Sequence, residues 1–395
     1  MISDIGYKNS IDLLHKATTP FGFVAAVNGV DNYTRIWSRD GIITSIAALY
    51  SGDDTLLDTI KATIETLFSH QHSSGFIPSN VTPGTDKVSY GGAVGRADNV
   101  PWAIIGLLTY TQHTGNNIYA IQYEANVKKA FELLDAWEYN GRGLVYVPQS
   151  GDWADEYIHH GYILYDQLLR IWALELAAKQ YNNDSYATKA LHIRQLLTVN
   201  FWNHNSEQDY YSFALARQMK NAPEGYWLMG FNPGGLYEQY DLGANALAIL
   251  LQLGTDAQQN EAKQYLESMV NEAKGMLPSF SPVIDLGDIA MAELLLNHAY
   301  NFRNHPHEFH NGGLWAVWNG FAAAALAAAG AKFSAQRLIT AIHDANNKSH
   351  NNTHWGFFEN IHGASSLPIG VEYCTWSAAG AIIAEQAMKG NYITR

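Results

Sequence analysis

The sequence predicts an all-α fold, an (α/α)6 barrel, and three observations predict it. Apolar residues recur with the 3.6-residue period of helices along most of the chain, while strand signals are few. Very short links alternate with long ones. Helices that are apolar all round alternate with amphipathic ones.

Periodicity and cap residues place helices over 1–16, 40–50, 53–70, 98–114, 116–137, 160–180, 183–202, 241–253, 256–272, 312–330, 332–348 and 373–389. "GRGLVYVPQ" (141–149) and "DYYSFALA" (209–216) read as short strands or hairpin arms within loops. The links after even-numbered helices are short: "SG" after the second, "YN" after the sixth and "GT" after the eighth. The links after odd-numbered helices are long, and long loops in compact domains are usually functional. Even-numbered helices carry "GIITSIAALY", "VPWAIIGLLTY", "GANALAILLQLG", "GFAAAALAAAG" and "SAAGAIIAEQA". Odd-numbered ones carry charges, as in "DTLLDTIKATIETLF", "AQQNEAKQYLESMV" and "AQRLITAIHDA". A helix apolar all round is buried, and an amphipathic one has a wet face. Six buried helices alternating with six half-exposed ones make a two-ringed barrel, with every long loop at the end where the inner helices begin. No Gly-, Ser- or Pro-rich linker interrupts the chain, so one domain over 1–395 is expected.

Composition narrows the function. A hydrophobic fraction of 47% suffices for a core, and 15% charged residues exclude a disordered chain. A net charge of −13 without a basic run excludes nucleic acid and anionic membrane as partners. The single cysteine, Cys374, permits no intrachain disulfide and fits a cytoplasmic location. No signal peptide is expected from "MISDIGYKNSIDLLHKA", and no apolar run is long enough to span a membrane. A homo-oligomer is compatible with the composition. The 11 Trp and 23 Tyr favour carbohydrate as ligand, because flat rings stack on the apolar faces of sugars.

The unusual residues cluster in the long loops that enter the even helices. These are "YTRIWSRDG" (33–41), "GGAVGRADNVPW" (91–102), "SGDWADEYIHHGY" (150–162), "GGLYEQYDLGAN" (234–245), "HEFHNGGLWAVW" (307–318) and "HWGFFENIHGASSLPIGVEYCTW" (354–376). On the barrel reading they converge on one funnel, into which the inner helices point the positive ends of their dipoles. The funnel would hold Asp40, Asp98, Asp152, Asp155, Glu156, Asp241, Glu359 and Glu372. Glycoside hydrolysis needs two carboxyl groups, one protonated to release the leaving oxygen and one ionised. Acidic neighbours and an apolar ring raise a pKa. "DWADE" has both, so it is expected to house the acid, and "FFEN" around Glu359 the second carboxylate. A lone aspartate at a helix start is usually a cap, and a lone tryptophan usually core; the shared rim is what points to function. "GGAVGR" lacks the Lys-Ser/Thr of a phosphate loop, and "HPHEFH" lacks the spacing of zinc proteases. Neither metal nor organic cofactor is expected. The funnel histidines keep a sugar 2-epimerase or isomerase as the alternative from another class.

"FFENIHGASSLPIGVEYCTWSAAGAIIA" resembles the C-terminal catalytic segment of glucoamylases and of neutral/alkaline invertases, in which a base glutamate precedes a Thr-Trp pair. "IWSRDG" and "DWADE" resemble their sugar-binding and acid segments, and "HNGGLWAVW" and "YDLGANALAIL" resemble invertase elements. Bacterial proteins of this type are often grouped with amylo-α-1,6-glucosidases. The resemblance implies inverting hydrolysis of a terminal α-glucosyl unit, with Asp155 as acid and Glu359 as base. It implies that Asp40 binds the terminal sugar; with the other funnel residues, the expected substrate site is drawn from Trp37, Arg39, Asp40, Arg96, Asp98, Trp102, Asp152, Trp153, Glu156, Asp241, His310, Asn311, Trp315 and Glu372. Sucrose is the first expected substrate; short α-glucosides or α-1,6 branch stubs are the second. The chain departs from the invertases at "DEYIHH", where they carry paired arginines, and at Ala316, where they carry proline. Glucoamylases usually have adjacent glutamates at the acid. Aglycone specificity therefore does not carry over.

Overall fold

The computed structural model describes residues 2–28, 31–204, 210–349 and 354–394. The fold is mostly helical. Its main helices are α1 (Ile2–Lys16), α2 (Ser38–Ser51), α3 (Leu57–Ser69), α4 (Asn99–Thr114), α5 (Glu124–Ala136) and α6 (Leu164–Tyr181). They continue as α7 (Asp184–Asn200), α8 (Leu242–Leu250), α9 (Asp256–Glu272), α10 (Ala316–Ala328), α11 (Lys332–Asn346) and α12 (Thr375–Met388).

The alternation in polarity appears as an alternation in burial. α8 is buried throughout, and α2, α4, α10 and α12 nearly so, whereas α3, α5, α9 and α11 bury one face. Each even helix packs on the next, and α12 returns to α2. Each odd helix packs outside an even one: α3 on α2, α5 on α4, α7 on α6, α9 on α8, α11 on α10 and α1 on α12. α10 and α12 approach closely enough that a Cβ on Gly320 would meet Gly380 and one on Gly380 would meet the Ala316 carbonyl.

The short links work because each ends a helix abruptly. Gly52 (φ 77) and Asn182 (φ 48) close α2 and α6 in the left-handed region, and Thr255 opens α9 with a capping box to Gln258.

Several expectations are corrected. The helix expected over 116–137 breaks at Tyr123 into Asn117–Gln122 and α5. The stretch 209–216 is no strand: Phe213–Met219 is helical, with the Ser212 hydroxyl accepting from Leu215 N at 3.1 Å, and residue 209 lies outside the described residues. Among the described residues the stretch 141–149 has only the isolated Val147–Gly161 pairing. A further helix, Ile289–Leu296, lies in the loop before α10. Two-residue strand pairs staple the long loops, among them Trp37 with Asn80, Asp241 with Phe280 and Asn360 with Ile369. Among the described residues no helix is long and apolar enough to cross a membrane.

Candidate active site

Glu359 sits where the loop before α12 doubles back on itself. Its N–H donates to the Val371 carbonyl at 2.8 Å, just ahead of the Asn360–Ile369 pairing. Its side chain is only 7% exposed, and Gly370 (φ 81) packs so close that a Cβ there would meet the carboxyl. The Tyr33 hydroxyl donates to Oε1 at 2.8 Å, and Val371 N approaches Oε2 at 3.4 Å. Burial pushes the Glu359 carboxyl up to about 7, against the Tyr33 hydrogen bond and with help from Asp40. A carboxyl poised there exchanges a proton near neutrality.

The first turns of the buried helices bring in Arg39 and Asp40 from α2, with Asp98 just ahead of α4. Arg39 Nη1 donates to Asp98 Oδ2 at 2.7 Å, with both residues buried, and the guanidinium lies 5.6 Å from the Trp376 ring centre. Arg39 Nε and Asp98 Oδ1 are buried without a hydrogen-bond partner among the described residues. Burial raises both Asp40 and Asp98, opposed chiefly by Arg39. The charge of Asp155 adds to the rise of Asp40, and the charge of Asp40 adds to that of Glu359.

The acid segment carries its three carboxylates in different settings. Asp155 is half exposed, and Arg96 Nη2 holds it at 2.9 Å. Arg96 Nη1 is fixed by the carbonyls of Gly91, Gly95 and Ser150 at 3.1, 3.0 and 2.7 Å. Asp152 is buried beneath, 2.5 Å from His159 Nε2. Burial pushes the Asp152 carboxyl up, but His159 and the Ala154 N–H outweigh it and hold it below the usual range.

Glu156 was expected against the sugar. At φ 69 its Oε1 accepts from Ala299 N at 3.0 Å, and its carbonyl accepts from Asn304 Nδ2 at 3.0 Å. It therefore ties the acid segment to the strap before α10.

Other candidates serve the scaffold. Asn311, expected as a sugar ligand, spends both amide hydrogens on the Ile284 and Asn304 carbonyls (2.8 and 3.2 Å), and its oxygen accepts from Ile284 N at 2.8 Å. Asp241 caps α8 through Ala244 N at 2.9 Å, and burial raises its carboxyl to about 7. Trp102 is fully buried against Trp172 and Phe321, and its Nε1 supports the Tyr165 hydroxyl at 2.8 Å. Trp153 is 2% exposed, caged by Trp315, Trp318, Phe280 and His310 at 5.0 to 5.6 Å, so it braces the acid segment from within.

His310 stacks on Trp315 (5.5 Å, 6°), and burial lowers it to about 4, which keeps it neutral. Trp37 remains partly exposed, its Nε1 bonded to the Asn32 carbonyl at 2.8 Å. Glu372 lies 3.7 Å from His354. The described residues contain no group of three or more His, Cys, Asp or Glu placed to hold a metal ion.

Two residues escaped the sequence reading. Tyr33 was quoted within its loop but given no role. Asp166 is buried with both oxygens unpartnered among the described residues, and burial beside Asp152 and Asp98 raises it well above the usual range. Its position was a usable signal: it is the third residue of α6, as Asp40 is of α2.

Residues 197–391 match the family model of alkaline and neutral invertases. A search of curated protein sequences gives no match. Among solved structures, the chain is similar to a GH63 mannosylglycerate hydrolase from Thermus thermophilus in complex with Tris. That match has a TM-score of 0.69 at 13% identity and covers 95% of this chain and 99% of that one. It is also similar to a wild-type glycosidase, with a TM-score of 0.68 at 14% identity, covering 98% and 97% of the two chains. At these identities the structures speak for the fold. Taken with the family match over its second half, they make this chain a glycoside hydrolase that resembles the alkaline and neutral invertases.

Proposed function

We propose that the chain is a single-domain (α/α)6-barrel enzyme that removes a terminal α-glucosyl unit from a small sugar with inversion. The observation that carries this reading is the buried Glu359, poised near 7 and hydrogen-bonded by the Tyr33 hydroxyl at 2.8 Å. Glu359, when ionised, takes a proton from water as its oxygen bonds to the anomeric carbon. The bond from that carbon to the leaving oxygen breaks, and Asp155 donates its proton to that oxygen. Inversion needs the two carboxyls about 6.5–9.5 Å apart, with room for the water. Arg39 and Asp40 hold the sugar hydroxyls, aided by Asp98 and His310.

Sucrose is the first substrate, supported by the invertase match over residues 197–391. Short α-glucosides and α-1,6 stubs come second, and the mannosylglycerate hydrolase neighbour adds an anionic glycoside to the panel. The enzyme is incubated with sucrose, maltose, isomaltose, trehalose and mannosylglycerate, and the products are followed by NMR. Initial release of β-glucose from an α-glucoside supports the mechanism, and initial α-glucose sinks it. Interconversion of free sugars without glycoside cleavage would put a 2-epimerase in its place.

A further inference from the structure

We propose that Asp152 and His159 form a buried clasp that sets the position of Asp155, so that His159 is a positioning residue for the proton donor. This rests on the glycosidase reading and on Asp155 as its acid. Asp152 is 1% exposed and His159 3%, deep beneath a segment whose Asp155 is half exposed. Asp152 divides its two oxygens. Oδ1 accepts from Ala154 N at 2.9 Å, immediately before Asp155, and Oδ2 meets His159 Nε2 at 2.5 Å. One side chain thus joins the two ends of the 152–159 turn.

The histidine cannot drift. Its ring stands edge-on to Phe280 at 5.9 Å and lies 5.7 Å from Tyr157. Beyond it the chain is locked by the reciprocal Val147–Gly161 backbone bonds at 2.7 Å. On the other side of Asp155, Glu156 is held by Ala299 and Asn304. Asp155 is therefore flanked by two fixed residues, and Arg96 pairs with its carboxyl at 2.9 Å. Loss of the clasp would free Ala154 and let the donor shift against the leaving oxygen. A misplacement of about 1 Å can cost about 10²-fold in rate.

The test separates positioning from folding by the leaving group. A disaccharide needs Asp155's proton to leave, whereas fluoride departs from α-D-glucosyl fluoride with little need of it. His159→Leu should lower kcat by about tenfold to 10²-fold on the best-cleaved disaccharide. KM, and turnover of the fluoride, should stay within about twofold. His159→Gln, whose Nε2 amide can still donate to Asp152, should recover most of the loss. Equal losses on both substrates, or no loss on the disaccharide, overturn the clasp while leaving the hydrolase reading intact. A wild-type enzyme inert on both substrates removes the hydrolase reading and the clasp with it.

Discussion

Tyr33→Phe tests the proposed base most directly. The tyrosine hydroxyl donates to Glu359 Oε1 at 2.8 Å, in a site where the carboxyl is 7% exposed and raised to about 7. A hydrogen bond to a charged group contributes about 1.5–3 kcal/mol. At about 1.36 kcal/mol per pKa unit, its loss raises the Glu359 carboxyl by about one to two units, to about 8–9. The sign follows from the donor: the hydroxyl favours the ionised form, so removing it favours the protonated one. A base must be ionised, so the ascending limb of kcat/KM against pH moves to the alkaline side. With a shift of about 1.5 units, the variant falls roughly thirtyfold below wild type at pH 6 and converges with it near pH 9.5. The assay is initial glucose release from the best substrate between pH 5 and 10. A uniform loss at every pH, with the limb unmoved, refutes the assignment of Glu359 as the titrating base.

Four further outcomes are expected. Asp155→Asn should lower disaccharide turnover by about 10²–10⁴-fold, read by initial-rate kinetics; full activity would move the acid to another carboxyl. Glu359→Gln should unfold later than wild type at pH 9. Burial favours the protonated carboxyl, so its stabilising share is complete below about 4.5 and lost as pH rises through about 7, up to about 3 kcal/mol. The difference between the two proteins in urea midpoint should vanish near pH 4. Gly380→Ala should cost about 1–3 kcal/mol by urea unfolding, because its Cβ meets the α10 backbone. Asp241→Ala should cost about 0.5–2 kcal/mol at pH 5 through loss of the α8 cap, while Asp241→Asn should be nearly neutral, since asparagine caps as well.

The sequence by itself determined the main helices and which of them are buried. "GIITSIAALY" and "GFAAAALAAAG" have no face that tolerates water, and burial is a property of composition before it is one of contact. The short links were equally legible, because Gly52 and Asn182 state the left-handed conformation they adopt. The six loops that carry the candidate residues stand out as well, since acids, arginine and tryptophan crowd together in them, but Tyr33 and Asp166 do not.

What each member does was decided by the tertiary structure. Asp152, Asp155 and Glu156 are interchangeable on paper. Only folding places Asp152 on a buried histidine, Asp155 on Arg96 and Glu156 on the Ala299 amide. Tyr33 meets Glu359 across 326 positions of chain, and no local pattern encodes a contact at that separation. The protonation of a carboxyl depends on how much water and which charges surround it. Glu359 and Asp241 rise to about 7 because the fold takes them out of water, and Asp152 stays low because it delivers a histidine to the same depth.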